Sequence, residues 1–115
     1  MKVRLTGTGT RPLLVHNVRL ASPLNAYAKR LKSLNSKRVK TDEDRLEIAR
    51  TEWEGSLYHD EELGPYVPGP NLFASLIGGA RLLKAGKKVE RGVSVTDLYM
   101  PLLYRGPRDI EARYL

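Results

Sequence analysis

The sequence predicts an α+β fold in a single domain over residues 1–115, with about three helices. Apolar and polar residues alternate near both ends of the chain, a pattern that is typical of strands. Between these ends, three stretches carry apolar residues at three- and four-residue spacing, which is typical of amphipathic helices. The predicted order is strand, helix, helix, strand, helix, strand, strand, and this mixed order indicates the α+β class.

The N-terminal part is predicted to be extended. Residues 2–8 form the first predicted strand, because Val3 and Leu5 alternate with polar neighbours. A Gly-Thr-Gly-Thr run at 7–10 predicts a turn, and a second extended apolar segment follows over 13–20. These segments form either a hairpin or one long bulged strand.

The next two predicted elements are helices. Ser22-Pro23 predicts the start of the first, because serine is a good N-cap and proline suits the first helical position. Thr41 predicts the N-cap of the second, with acids in its first turn and Gly55 as its end. The predicted buried residues have helical spacing: Leu24, Tyr27, Leu31 and Leu34 in the first helix, and Leu46, Ala49 and Trp53, with Ile48 beside them, in the second.

The third helix is predicted over 70–84, with a broad apolar face and Gly86 as the residue after its end. A Gly78-Gly79 pair inside this helix costs about 1 kcal/mol per glycine relative to alanine. The pair therefore indicates either the close approach of another backbone or loose packing.

Two further strands are predicted towards the C-terminus. Val89, Val93 and Val95 alternate with polar residues, and a last strand is predicted over 98–104. Pro101 lacks a backbone N–H for a sheet, so it places this last strand at an edge.

The composition favours a cytoplasmic protein with an anionic partner. The net charge is +7 and the isoelectric point is about 9.9, so nucleic acid is the first class of partner to consider. The chain has no cysteine, which excludes disulfides and thiolate metal sites. It has no run of about 18 apolar residues, as a membrane span needs, and its first residues lack the apolar stretch of a signal peptide.

The charges are segregated along the chain. Residues 28–40 contain six cations and no acid, whereas residues 41–63 contain nine of the thirteen acids. This pattern indicates either head-to-tail association of copies or pairing of the two segments within one chain.

Signals for catalysis are weak. The chain has no G-x-S-x-G motif, and the 7–10 run lacks the lysine and the strand–loop–helix frame of a phosphate-binding loop. His16 lies in an apolar extended segment and is interpreted as structural. His59 adjoins three acids over 60–62, but adjacent residues point to different sides, so a solvated loop is the better interpretation.

The segment GPYVPGPNLFASLIGGARL, residues 64–82, resembles a motif of the RAMP superfamily, whose RRM-like members include the crRNA-binding backbone subunit of CRISPR effector complexes. In that family an extended segment leads into a helix that starts close to the bound RNA. Residues 66–69 match the lead-in, and Leu72, Leu76 and Arg81 correspond to the helix. The segment at 12–16 is similar to the opening of the family, and the whole chain is similar to small phage proteins with such a domain.

The resemblance implies a small ferredoxin- or RRM-like sheet, complete or incomplete, with helices on one face. It also implies contact with RNA or single-stranded DNA, and a homo-oligomer or CRISPR effector subunits as protein partners. Pro70 and Asn71 replace small hydroxyl residues of the family motif, and the closing glycine-rich loop of the family is missing. The chain is therefore expected to be either a complete small domain or the N-terminal part of a longer RAMP-like protein.

Three functional hypotheses follow. The first is a non-enzymatic protein that binds single-stranded nucleic acid, RNA first, without cofactor or metal. The second is a protein–protein module, a phage structural or CRISPR-inhibiting subunit, that assembles through complementary charged segments, and the third is a RAMP-type ribonuclease that uses His16. For the first, the candidate residues are the cations Lys29, Arg30, Lys32, Lys37 and Arg38, and the helix N-terminus at Gly69, Pro70 and Asn71, whose N–H groups and dipole favour an anion.

Overall fold

The protein has the predicted α+β class in a computed structural model that describes residues 1–114. This range contains five α-helices and a three-stranded antiparallel sheet, so the expectation of about three helices was too low. The elements are a 3₁₀ turn (Val18–Ala21), α1 (Ala26–Asn35), α2 (Asp42–Ser56), β1 (His59–Asp60), β2 (Gly64–Pro68), α3 (Gly69–Leu82), α4 (Gly86–Gly92), β3 (Tyr99–Pro101) and α5 (Ile110–Tyr114).

The N-terminal strands predicted over 2–8 and 13–20 are not formed. Val3 and Leu5 are exposed, and among the described residues no backbone hydrogen bond joins positions 1–16 to another segment. The first such bond is donated by the Asn17 N–H to the Ser56 carbonyl, at 2.9 Å. A strand needs a neighbour to receive its backbone groups, and alternation in the sequence does not supply one.

The helix α1 begins three residues later than predicted. Asn25 is its N-cap, and the Asn25 side chain accepts a hydrogen bond from the Tyr27 N–H at 2.9 Å. Ser22 instead ends the 3₁₀ turn and donates its N–H to the Arg19 carbonyl. Leu24 therefore lies outside the helix and is exposed, while Leu34 is buried as predicted.

The helix α2 has the predicted start but buries a different face. Thr41 and Asp44 form a capping box, in which each side chain accepts a hydrogen bond from the backbone N–H of the other residue. The prediction that Leu46 and Ala49 are buried is wrong, because both residues are exposed. The covered face instead runs through Asp44, Ile48, Thr51 and Gly55, which also have helical spacing.

Arg19 joins the 3₁₀ turn to the C-terminal end of α2. Its Nε donates to the Gly55 carbonyl at 2.9 Å, and its Nη2 donates to the carbonyls of Glu54 at 2.8 Å and Leu57 at 3.3 Å. The guanidinium also lies 4.6 Å from the ring centre of Tyr27 in α1. A cation that binds the last carbonyls of a helix satisfies acceptors that the helix leaves without partners.

Gly55 allows this junction to close. A Cβ atom at this position would lie 2.5 Å from Leu20 and 3.2 Å from the Tyr27 Cβ, so a larger residue would push apart the three segments. The predicted helix end at Gly55 is correct to one residue. The physical reason for the glycine, however, is this close contact.

The sheet has the order β1-β2-β3, with β2 antiparallel to both neighbours. Pro101 lies in β3 and pairs with Tyr66, which confirms the predicted edge position. The ring of Tyr66 contacts Tyr58 and Tyr99 with centroid distances of 5.8 and 4.8 Å. The strand β2 runs directly into α3, which packs against it.

The segment after α3 turns back as a helix. The strand predicted around Val89, Val93 and Val95 is wrong, because Gly86–Gly92 form α4 and the Val93 N–H donates to the Val89 carbonyl at 2.9 Å. A four-residue spacing of valines suits a helix as well as a strand. The residue after the end of α3 is Lys84, not Gly86. The Lys84 and Ala85 N–H groups close the helix on the Arg81 and Ala80 carbonyls.

The chain is elongated and has little core. Its extents are 56 × 30 × 24 Å and its radius of gyration is 18.0 Å, compared with about 13 Å for a compact chain of this length. The accessible surface is 9780 Å², whereas a compact protein of 12.9 kDa exposes about 6,300 Å². Within the described range, Leu34 is the single buried hydrophobic residue. Over residues 1–114 we find no helix that is both long and apolar enough to cross a membrane.

We expect the Arg19→Ala variant to lower the free energy of unfolding by about 2 kcal/mol, because three carbonyls lose a charged donor. Urea unfolding followed by circular dichroism measures the change. The matched control is Arg4→Ala, since Arg4 is exposed and makes no side-chain hydrogen bond within residues 1–114. Equal stability of the two variants would contradict the role assigned to Arg19.

Candidate nucleic-acid interface

Two of the five predicted phosphate-binding cations are held in ion pairs by α2. Arg30 in α1 binds Glu47, and Lys37, just after α1, binds Asp44. The helices α1 and α2 pack against each other, so these pairs lie across the contact between the basic and the acidic segment. Pairing of the two segments within one chain, one of the two interpretations of the charge pattern, is thus confirmed for these residues.

The other three predicted cations are available to solvent. Lys29, Lys32 and Arg38 are exposed, and within residues 1–114 none of them forms an ion pair. Lys29 and Lys32 are three residues apart in α1, so they share a face of the helix. The 28–40 segment therefore presents a smaller positive surface than its composition indicates.

The N-terminus of α3 has the predicted uncapped form, since Pro68 at the N-cap makes no side-chain hydrogen bond. The segment before β3 partly covers it. The Gly69 N–H donates to the Leu98 carbonyl at 3.0 Å, and Pro70 has no N–H. A Cβ at Gly69 would lie 2.0 Å from the Asp97 carbonyl oxygen. Of the three predicted residues at this helix N-terminus, all within the described chain, only Asn71 keeps an N–H group for an anion. The site therefore offers fewer donors than predicted.

The two parts of the predicted site belong to different packing groups. The helix α1 packs on α2 and the 3₁₀ turn, whereas α3 packs on β2 and α4. The cations of α1 and the N-terminus of α3 are thus positioned by separate sets of contacts. The sequence could not show this, because it gives no distance between segments 30 residues apart.

Several arginine side chains outside the predicted site have structural partners. Arg19 binds the end of α2, and Arg108 Nη1 donates to the Leu102 carbonyl at 3.0 Å. The guanidinium groups of Arg108 and Arg113 lie 5.1 and 5.3 Å from the ring centre of Tyr104. Tyr99 keeps 49% of its surface exposed, so this ring remains accessible for stacking on a base.

The two histidines have different surroundings. His59 Nε2 donates to the Arg108 carbonyl at 2.6 Å, which requires the proton to be on that nitrogen. Asp60 accepts from the Glu62 and Leu63 N–H groups, and these bonds hold its pKa below the usual range. His16 is exposed and makes no hydrogen bond within the described chain. Residues 1–114 contain no cluster of three or more histidine and acidic side chains suited to a metal ion.

A second positive surface was not among the predicted site residues. It lies where α3 turns into α4 and is called the α3–α4 corner; its exposed cations are Arg81, Lys84, Lys87, Lys88 and Arg91. The sequence carries a signal for it, since between residues 64 and 96 Glu90 is the only acid. Four of these cations, Arg81, Lys84, Lys87 and Lys88, already lie around the C-terminal end of the predicted third helix, whereas the predicted strand at 89–95 placed Arg91 on a different element.

The electrostatics of the α1–α2 contact centre on Asp44. Hydrogen bonds from Lys37, from the Thr41 N–H and from the Thr41 hydroxyl lower the pKa of Asp44 to about 2. Asp44 is the counter-charge of Lys37 and raises the pKa of that lysine. The same carboxylate therefore caps α2 and neutralises one of the predicted phosphate-binding cations.

Comparison of the chain with protein families, curated proteins and solved structures gave no match. The RAMP resemblance therefore stays a prediction.

We expect the stability of the protein to fall as the pH decreases from about 4 to about 2. The carboxyl of Asp44 has a pKa of about 2 when folded and an ordinary value of 3.8, so the unfolded chain takes up its proton first. Asp44→Asn removes this contribution: the variant is less stable at neutral pH and loses less stability over that interval.

Urea unfolding at several pH values measures both effects. Asp42→Asn is the matched control on the same helix, since Asp42 is 98% exposed and should keep the wild-type pH profile. A wild-type pH profile for Asp44→Asn would show that the capping carboxylate is not coupled to folding.

Proposed function

We propose that this protein is a non-enzymatic binder of single-stranded nucleic acid, RNA first, that holds its ligand through the phosphates. The single observation that supports the proposal is the excess of exposed cations after the pairing within the chain. The net charge is +7, and within residues 1–114 only four cations form ion pairs: Arg30, Lys37, Arg45 and Arg50. Clustered exposed cations attract a polyanion because each contacted phosphate releases a counterion.

The proposal retains the finer fold assignment, a ferredoxin- or RRM-like sheet of the RAMP type. The support is local: β2 runs without a loop into α3, as the strand and helix of the family motif do. An exposed aromatic ring at Tyr99 on the edge strand suits stacking of unpaired bases. No cofactor is part of the proposal, and the lack of cysteine supports its cytoplasmic setting.

We expect the protein to bind a labelled single-stranded oligouridylate of about 15 nucleotides at about 50 mM salt. The affinity should fall steeply with salt, with a slope of about −0.7 for each phosphate contacted in a plot of log K against log salt. Fluorescence anisotropy measures the binding. Absence of binding at low salt, or binding with a flat salt dependence, would refute the proposal.

Association with other protein chains is a second candidate, and a different observation supports it. The accessible surface exceeds that of a compact chain by about 3,500 Å². This is more than one partner's share of an obligate interface, since such interfaces bury about 2,000–5,000 Å² summed over both partners. Much of this surface is apolar, including Leu82 at 88% and Leu83 at 81% exposure. Since Arg30 and Lys37 are paired within the chain, the structure favours apolar contacts over charged segments for this assembly.

An apolar association should persist at high salt, whereas an association through charged segments should dissociate. Multi-angle light scattering at about 0.05 and 1 M salt therefore separates the two forms of the assembly hypothesis. We expect a mass above 12.9 kDa at both concentrations and a lower mass for the double variant Leu82→Ser, Leu83→Ser. A monomer under both conditions would exclude self-association.

A further inference from the structure

The α3–α4 corner differs from the basic segment of α1 in its local charge balance. Five cations and one acid lie within residues 81–91, and among the described residues none of the five cations forms an ion pair. In α1, by contrast, the acidic helix α2 packs alongside the cations and neutralises two of them. The potential that a phosphate meets is therefore more positive at the corner.

Lys84 has an unusual backbone conformation at the centre of the corner. Its φ is 56°, in the left-handed region, where glycine is the residue normally found at the end of a helix. A lysine is disfavoured relative to glycine in this region, so helix termination alone does not explain the residue type. Strained residues of this kind are concentrated at functional positions.

A shallow concavity of about 370 Å³ lies at the corner, lined by Arg81, Lys84, Gly86, Lys87 and Glu90. Gly86 forms its floor with Arg81, since a Cβ at Gly86 would lie 2.7 Å from the Arg81 Cγ. The stem of Arg81 thus covers a buried glycine while the residue remains exposed. The volume is within the range of small-ligand sites.

A concavity of about 610 Å³ between α2 and α5 lacks this charge balance. Its lining includes Arg30 and Arg50, but Arg30 binds Glu47, and Arg50 binds Glu54 and Glu111. The bonds to both acids raise the pKa of Arg50, so this guanidinium is firmly paired. An incoming phosphate would have to compete with these carboxylates.

We infer that the α3–α4 corner is the principal phosphate-binding site of this protein for single-stranded nucleic acid. The inference rests on the proposed function and deepens it, because it moves the main contact from α1 to the corner. Lys84 and Lys87 bind phosphate oxygens across the concavity, and Arg81 supplies a planar donor group at its edge. Lys29 and Lys32 in α1, and Arg38 after it, contribute less.

Two triple variants with the same net charge test the inference. The corner variant carries Lys84→Gly, Lys87→Gln and Lys88→Gln, and the matched control carries Lys29→Gln, Lys32→Gln and Arg38→Gln. Each removes three positive charges, so a difference between them reports the position of the charges and not their number. Binding to the labelled oligouridylate is measured by anisotropy over a range of salt concentrations.

We expect the corner variant to bind at least about tenfold more weakly, with a salt slope smaller by about 2, and the α1 variant to lose about threefold. Lys84→Gly alone should weaken binding while raising the midpoint of thermal unfolding, because glycine relieves the positive φ. Weaker binding by a more stable variant excludes unfolding as the cause.

Three results would overturn the inference, and a fourth has a separate meaning. Equal losses for the two triple variants would show that only net charge matters, and a larger loss for the α1 variant would place the site there. Binding of the corner to anionic phosphatidylserine vesicles but not to the oligonucleotide, dependent on the adjacent Leu82 and Leu83, would show that the corner is a membrane site. Absence of wild-type binding to either probe would instead refute the proposed function itself.

Discussion

The contact between Arg19 and the C-terminal end of α2 is the interaction on which the N-terminal half depends. It replaces three carbonyl–water contacts with charged hydrogen bonds and holds the 3₁₀ turn against α2. The same guanidinium lies on Tyr27, so α1 is held to the same point. Because the chain buries little apolar surface, polar contacts of this kind contribute an unusually large share of the stabilisation of the fold.

The second constraint is electrostatic. A chain with 20 cations and 13 acids cannot neutralise itself, and folding decides which cations remain exposed. The packing of α1 on α2 uses Arg30 and Lys37, whereas α4 folds back on α3 without an acidic partner segment. The distribution of residual charge is therefore a consequence of which helices pack together. The unpaired positive charge is therefore concentrated at the α3–α4 corner, whereas the sequence places its densest run of cations at residues 28–40.

The exposed apolar surface limits how stable the isolated chain can be. Burial of apolar surface stabilises a fold by about 25 cal/mol per Å², and a chain that exposes about 3,500 Å² more than a compact protein forgoes much of this stabilisation. Val3, Leu5, Leu82 and Leu83 are large and exposed, and Gly78 and Gly79 have no other chain segment within 4 Å of where a Cβ would stand.

The sequence by itself determined the α+β class, the capping residue Thr41, the edge position of Pro101 and the strand-to-helix junction before α3, because each depends on neighbours along the chain. Only the tertiary structure decided which face of α2 is covered, that Val89 lies in a helix, and that residues 2–8 form no strand, since these depend on partners distant in sequence. The same holds for the candidate site. Composition located the cations, but packing decided that Arg30 and Lys37 form ion pairs and that Lys84 forms none within the described chain. A charge is set by its residue type, whereas its availability to a ligand is set by the segments that fold beside it.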